Sequence, residues 1–174
     1  MHTTTTEPRV YVGTYAKYNA GSIAGAWLDL EGHDADTFRD ACLELHKDEA
    51  DPELMFQDFE GFPRAFYGES YLAPRLWEWL ELDEREREIF AAYVEDVNQD
   101  GTPEEARDAY AGTFDSPEDW AEEFLRDTHP AFYEKDKGNE ILVRYFDYEA
   151  YARDAGIDSV NFVERDGETL VFWR

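Results

Sequence analysis

RVYVGTYAKYNAGSIAGAWLDL, residues 9–30, begins as one kind of chain and ends as another. Its first seven residues are β-branched or aromatic at almost every position and predict a strand over 9–15. The next stretch carries one charge, Lys17, until Asp29, together with Gly21 and Gly25 four residues apart. Two readings compete for it. A phosphate-binding loop needs a following Gly-Lys-Ser/Thr or a GxGxxG pattern, and neither is present. A hairpin loop with glycines in special backbone conformations needs only what is there. The stretch therefore predicts a loop running into a second strand over about 23–30, with Trp27 anchored in the module it opens.

Outward from that hairpin the pattern alternates between helix and strand. Asp34 or Asp36 is placed to cap a helix reaching residue 47, with Phe38, Ala41, Cys42 and Leu45 at helical spacing. LMFQDF, 54–59, predicts a third strand. Ser70 precedes YLAPRLWEWLEL, in which Leu76, Trp79 and Leu80 share a helical face. Asp83 with Glu86 resembles a capping box opening a helix to about 97, with Phe90, Tyr93, Val94 and Val97 inward. Thr102-Pro103-Glu104-Glu105 and Ser116-Pro117-Glu118-Asp119 each combine a cap, a proline at the first helical position and acids in the first turn. Trp120, Ala121, Phe124 and Leu125 form the inward face of the second of these helices. ILVRYF, 141–146, reads equally as a strand or a helix start. DYEAYARDAG, 147–156, predicts a helix capped by Asp147 and stopped by Gly156. Asp166-Gly167 between two apolar runs predicts a closing hairpin.

The expected fold class is α+β, a chain of three small modules. A leader over 1–8 precedes an N-terminal α+β module over 9–61. A helical module follows over 62–102, then a C-terminal α+β module over 103–174. No apolar run reaches the roughly 18 residues of a membrane span, and MHTTTTEP has neither the basic nor the apolar region of a secretory signal. The lone Cys42 excludes an intramolecular disulfide. A cytoplasmic protein is the expectation.

Charge is what separates this chain from an ordinary domain. It carries 42 acids against 16 bases, a formal net charge of −26 over 174 residues. The excess is spread along the chain: −9 over 1–60, −6 over 61–103 and −11 over 104–174. A folded body with acid everywhere repels itself, so such a sequence either lives in high salt or uses its field. Direct nucleic-acid binding is disfavoured, because that rests on Lys and Arg neutralising phosphates. Resemblance to nucleic acid is the converse reading. At one charge per ~1.7 Å of duplex axis, the excess equals roughly 44 Å of DNA, about 13 base pairs. Carboxylates at i and i+4 are ~6 Å apart along a helix axis, of the order of phosphate spacing. Scarce lysine, four against twelve arginines, also fits a GC-rich genome or a halophile, and acidic solvation is the rival reading.

Chemistry is sparsely signalled. DVNQDGTPEEAR, 96–107, places Asp96, Asn98, Asp100 and Gly101 at calcium-loop positions, but the final ligand position holds Arg107. A polar turn feeding a Thr102 cap is the better reading. His2, His33, His46 and His129 are scattered without metal-ligand spacing, and no nucleophile motif is present. No catalytic residue, metal site or cofactor is expected, and Trp77, Trp79, Trp120 and Trp173 read as core, or in part as a dimer seam.

The stretch quoted first carries a family resemblance. Tyr11, Lys17, Tyr18, Asn19, Gly21, Gly25, Ala26 and Trp27 resemble the opening of the ArdA family of antirestriction proteins. YFDYEAYARDAGI, with Tyr148, Tyr151, Arg153 and Asp154, resembles a motif near that family's far end. LWEWLELDEREREIFAAYVEDV between them resembles its acidic middle. The resemblance implies an elongated homodimer of small modules, carried on a mobile genetic element. It implies a mimic of bent DNA that occupies the DNA-binding groove of type I restriction–modification enzymes, formed by their specificity and methyltransferase subunits. It implies no enzyme activity, metal or cofactor, and no nucleic acid or membrane as partner. Helical phase assigns the acidic surface to Glu78, Glu81, Asp83, Glu84, Glu88, Glu95, Glu104, Glu105, Asp108, Glu118, Asp119, Glu122 and Glu123. The alternatives from other classes are an acidic scaffold or regulator binding a basic protein unrelated to restriction, and a halophile enzyme.

Overall fold

The computed structural model describes residues 7–134 and 138–174. Residues 1–6 of the expected leader lie outside the described residues. The described chain is α+β, with two three-stranded antiparallel sheets and helices that precede and follow their strands in the sequence. It divides into two compact units, Met1–Ala91 and Ala92–Arg174.

In the first unit, strands β1 (Arg9–Thr14), β2 (Ala26–Asp29) and β3 (Leu54–Glu60) pair in the order β2-β1-β3. Over its first four residues the central strand alternates, so that Val10 and Val12, which share one face, are fully buried. Pro8 is buried too, and its carbonyl accepts from Leu30 N at 2.8 Å, which carries the β1–β2 ladder one step further. The outer edge of β3 is covered by the chain's own later segment. Phe56 N donates to Glu69 O at 2.7 Å, and Tyr67 Oη donates to Phe56 O at 2.6 Å.

The connection between β1 and β2 is a hairpin loop, but it contains a helical turn the sequence reading did not foresee. Helix α1 (Tyr15–Asn19) is capped by Thr14, whose hydroxyl accepts from Lys17 N at 3.2 Å. The second strand is correspondingly shorter than expected, starting at Ala26. Gly21 has φ 79°, the left-handed region glycine favours. Gly25 is needed for another reason: a Cβ there would stand 2.2 Å from Val12 O. Helix α2 (Ala35–Leu45) is capped by Asp34 rather than Asp36 and seats Phe38 against Phe56 and Trp77, with ring centroids 6.4 and 5.6 Å apart.

Helix α3 (Pro74–Leu80) starts at Pro74, later than the position of Ser70 suggested, because proline serves as its first residue. Helix α4 (Glu84–Asp96) begins where Asp83 Oδ1 accepts from Glu86 N at 2.8 Å. The α3–α4 turn is fixed by Arg87. Its guanidinium lies 4.9 Å over the Trp79 ring and donates to the carbonyls of Leu80 and Leu82 and to Glu31. Trp79 Nε1 in return donates to Arg87 O at 3.0 Å. Every polar edge of a buried indole is thereby matched. Phe66, Leu76 and Phe90 complete this core.

In the second unit, β4 (Tyr110–Phe114), β5 (Val160–Arg165) and β6 (Glu168–Trp173) pair in the order β4-β6-β5. The run Thr169–Phe172 of the central strand is buried on both sides. One face, through Val171 and Val160, packs on Trp120 and Ala121 of α6 (Pro117–Thr128) and Ala152 of α9 (Tyr148–Asp158). The other, through Phe172, meets Tyr93 and Tyr110, with centroids 5.5 and 5.8 Å away. A strand covered on both faces reads as a continuous apolar run, and LVFW is one. Asp166 (φ 50°) and Gly167 (φ 88°) make the expected two-residue turn. Helix α5 (Pro103–Ala109) carries the expected Thr102 cap and first-turn proline, and Glu105 completes the cap as a reciprocal capping box. Two short helices, α7 (Pro130–Tyr133) and α8 (Glu140–Arg144), were not specified by the pattern; the second settles 140–144 as helical. Gly156 does not stop α9, which continues to Asp158. A Cβ at Gly156 would lie 3.3 Å from the Phe162 ring, so this glycine serves a close helix–strand approach.

Candidate functional site

The acids assigned from helical phase are borne by α3 to α6 and their caps. In the first unit, Glu78, Glu81, Asp83, Glu84 and Glu88 are exposed. In the second, Glu95, Glu104, Glu105, Asp108, Asp119 and Glu123 are exposed, while Glu118 and Glu122 are half-buried. The reason is amphipathic periodicity. Trp79, Phe90 and Val94 in α3 and α4, and Trp120, Ala121 and Leu125 in α6, claim the inner stripes and leave the acids the outer ones. Glu84/Glu88, Glu104/Asp108, Glu118/Glu122 and Asp119/Glu123 are i, i+4 pairs, each roughly 6 Å apart along its helix axis.

These carboxylates are not equivalent. Three of them hold helix starts: Asp83 caps α4, Glu105 accepts from Thr102 N at 3.0 Å, and Asp119 accepts from Ser116 Oγ at 2.6 Å. Others face arginines. Glu88 pairs with Arg85 at 2.9 Å, Glu122 with Arg126, and Glu95 with Arg165 at 3.0 Å, the same guanidinium also reaching Asp96. A capping or paired carboxylate keeps its charge but has its direction fixed, whereas an unconstrained glutamate sweeps several rotamers. A shallow concavity of about 640 Å³ in the second unit gathers Asp115, Asp119, Glu122, Glu123 and Asp127 around Arg126.

A second cluster went unnoticed in the sequence. His46, Asp48 and Glu49 bring ligand-type atoms within 4.8 Å of one another, the composition of a cation site. The ammonium of Lys17 stands among them: Nζ lies 2.9 Å from His46 Nδ1, 3.0 Å from Asp48 Oδ1 and 3.3 Å from Glu49 Oε1. The cation these groups hold is the chain's own. Since an ammonium only donates, His46 Nδ1 accepts, and its Nε2–H points at Val12 O, 3.2 Å away. Thr14 Oγ1 donates to Glu49 Oε1 at 2.7 Å. The hydrogen bond to Asp48 raises Lys17 above the usual lysine range, and the same bond lowers Asp48. Signals for this cluster exist only as separate residues, Lys17 and the HKDE run at 46–49, with nothing local to join them.

The remaining loop is less packed than its low charge suggested. Tyr18 and Ile23 are 53% and 75% exposed. The 96–102 segment is a turn serving the Thr102 cap: Asn98 Oδ1 accepts from Asp100 N at 3.2 Å, Gly101 N donates to Asn98 O at 2.9 Å, and Asp96 is engaged by Arg165. Gly101 is fitted to the Tyr93 ring, which a Cβ would approach to 2.4 Å. Burial pushes the Cys42 thiol up to about 12, far from a reactive thiolate. Among the described residues no helix is long and apolar enough to cross a membrane.

Fold and surface together define an acidic α+β protein that presents carboxylates on ordered helices. A family model described as antirestriction protein (ArdA) matches residues 10–168, so the chain belongs to the ArdA family of antirestriction proteins. No curated protein matches the chain. The match spans both units and all thirteen of the assigned acids.

Proposed function

We propose that this antirestriction protein acts as a DNA mimic: its helical carboxylates occupy the DNA-binding groove of type I restriction–modification enzymes and block restriction, and modification where the same groove serves both. The observation that carries the reading is the alignment of exposed acids at i, i+4 spacing on α4, α5 and α6, several of them held in direction by caps and arginines. A groove built to bind phosphates is lined with Lys and Arg. Opposite fields steer the two together quickly, and salt screens that attraction. The acting surface comprises the thirteen assigned acids, and the protein works as a cytoplasmic homodimer. Ile141, Leu142 and Tyr145, exposed within five residues of one another on α8 and its cap, support self-association, since neighbouring apolar exposure favours a protein contact.

The test is competition. The protein is titrated into a type I restriction–modification complex bound to labelled duplex, at two salt concentrations. Stoichiometric displacement that weakens as salt rises supports mimicry. Absence of displacement by a folded dimer rejects it and favours a basic protein partner unrelated to restriction.

A further inference from the structure

We propose that Arg165 is a positioning residue of the DNA-mimicking surface: a cation that strengthens binding to a cationic groove by fixing the carboxylates of Glu95 and Asp96. The inference rests on the mimicry reading and adds Asp96 and an arginine to its acting surface.

The sequence leaves the end of α4 badly matched. Glu95 and Asp96 are its last two residues, and its last turn holds no basic residue. The helix macrodipole is negative at that end, so two carboxylates there are repelled by it as well as by each other. Successive residues also point about 100° apart around a helix, so the two side chains diverge when left alone. Arg165, 70 residues beyond Glu95, answers both problems. Its Nη2 lies 3.0 Å from Glu95 Oε2 and also contacts Asp96 Oδ2. One nitrogen draws two diverging carboxylates to one point.

The second sheet delivers that guanidinium. In the β5–β6 register Arg165 stands opposite Glu168, Val163 opposite Leu170 and Asn161 opposite Phe172. Paired and alternate residues share a face, so Arg165 lies on the face of Phe172, which meets Tyr93 of α4 with ring centroids 5.5 Å apart. Glu168 is the cross-strand carboxylate, yet the guanidinium engages α4. The Asp166-Gly167 turn follows directly, and its two positive φ values fix the register that places Arg165.

The three side chains stay 32–44% exposed, so the group as a whole faces solvent. Two carboxylates and one guanidinium together carry the charge of one phosphodiester. Removing Arg165 sets two effects against one another. The chain becomes one unit more negative than −26, and salt screens that added attraction beyond about 8 Å. Against it, two carboxylates lose their direction and must be ordered anew on binding. The gain is one charge beside 26 and acts at a distance. The loss falls on the contact itself, and it prevails.

The experiment measures the Kd of the full-length protein for a type I restriction–modification enzyme. The unsubstituted protein is compared with Arg165→Gln, Arg165→Lys, Glu95→Gln/Asp96→Asn and the triple variant that joins Arg165→Gln to the last. A thermal melt confirms that each is folded at the temperature of measurement. Arg165→Gln is expected to weaken binding about threefold although it adds negative charge. Arg165→Lys keeps the charge without the planar fork and is expected to recover part of that loss. Glu95→Gln/Asp96→Asn weakens binding, and adding Arg165→Gln to it brings no further loss, because the arginine acts through those acids. Tighter binding by Arg165→Gln overturns the proposal in favour of charge count alone. An equal loss with and without the two acids overturns it as well, as does unchanged binding by Glu95→Gln/Asp96→Asn. No binding by the unsubstituted protein is a different failure, which rejects the mimicry reading itself and the role of Arg165 with it.

Discussion

Lys17 Nζ lies 2.9 Å from His46 Nδ1, and this contact ties the helical turn after β1 to the segment that follows α2. Removing the ammonium leaves His46, Asp48 and Glu49 facing one another without a cation. Lys17→Ala is expected to lower the thermal transition of the protein. It also vacates a space whose ligand atoms fall within 4.8 Å of one another. Zinc is then expected to raise the transition of Lys17→Ala and to leave that of the parent unchanged, read by differential scanning fluorimetry in matched buffers.

Acid stability follows from the same cluster. Asp48 is held below its usual value of 3.8 first by the hydrogen bond from Lys17, and Asp34 by the amide of Thr37 at the α2 cap. A carboxyl depressed in the folded state binds its proton more weakly there than in the unfolded chain. Its stabilising effect is complete above about pH 4 and is lost as pH falls through the depressed folded value. Denaturant midpoints are expected to hold down to about pH 4 and decline below it. Asp34→Asn combined with Asp48→Asn is expected to flatten that decline.

Gly25 answers to sterics alone. With a Cβ 2.2 Å from Val12 O, Gly25→Ala forces β1 and the loop apart. A cost of about 1–3 kcal/mol is expected, as for overpacking elsewhere. Gly21→Ala, which meets no atom but must adopt φ 79°, is expected to cost about 1 kcal/mol. Urea midpoints of the two variants decide the order.

Inhibition is expected to respond to the number of acids removed rather than to any one. A single change such as Glu81→Gln or Glu104→Gln is expected to weaken binding about two- to fivefold. Changing Glu81, Glu84 and Glu88 together is expected to weaken it further and to reduce its salt dependence. Competition titrations across the series measure both. Abolition of activity by one exposed carboxylate, at normal stability, contradicts a distributed surface.

Much of this architecture is written locally. The caps Asp34, Thr102, Ser116 and Asp147 and the Asp166-Gly167 turn act within three or four residues, so sequence displays them directly. Strand β4 was hidden because its partner β6 lies some sixty residues later. Gly112 at φ 143°, with a register shift beside it, also breaks the alternation that marks a strand. Helix α1 buries no residue and so has no apolar stripe to betray it. Gly156 was read as a stop because glycine ends many helices, and only the position of Phe162 shows its other use. At the surface, helical phase placed the acids outward, as most of them are. The motif at 83–86 already gave Asp83 as a cap, whereas the bonds that Glu105 and Asp119 return to Thr102 and Ser116 were not foreseen. The Lys17 cluster was illegible because its partners sit about thirty residues away, joined only by the fold.

The covered edge of β3 acquires another meaning where the charge disappears. Near the isoelectric point, about 4.2, the repulsion that keeps such molecules apart is gone, and exposed strand edges become templates for fibrillar association. Glu69 O and Tyr67 Oη already occupy the Phe56 amide and carbonyl along that edge. Solubility at neutral pH comes from charge, but at Phe56 the edge of β3 is already paired within the chain by two contacts that involve no charged group and do not depend on the field.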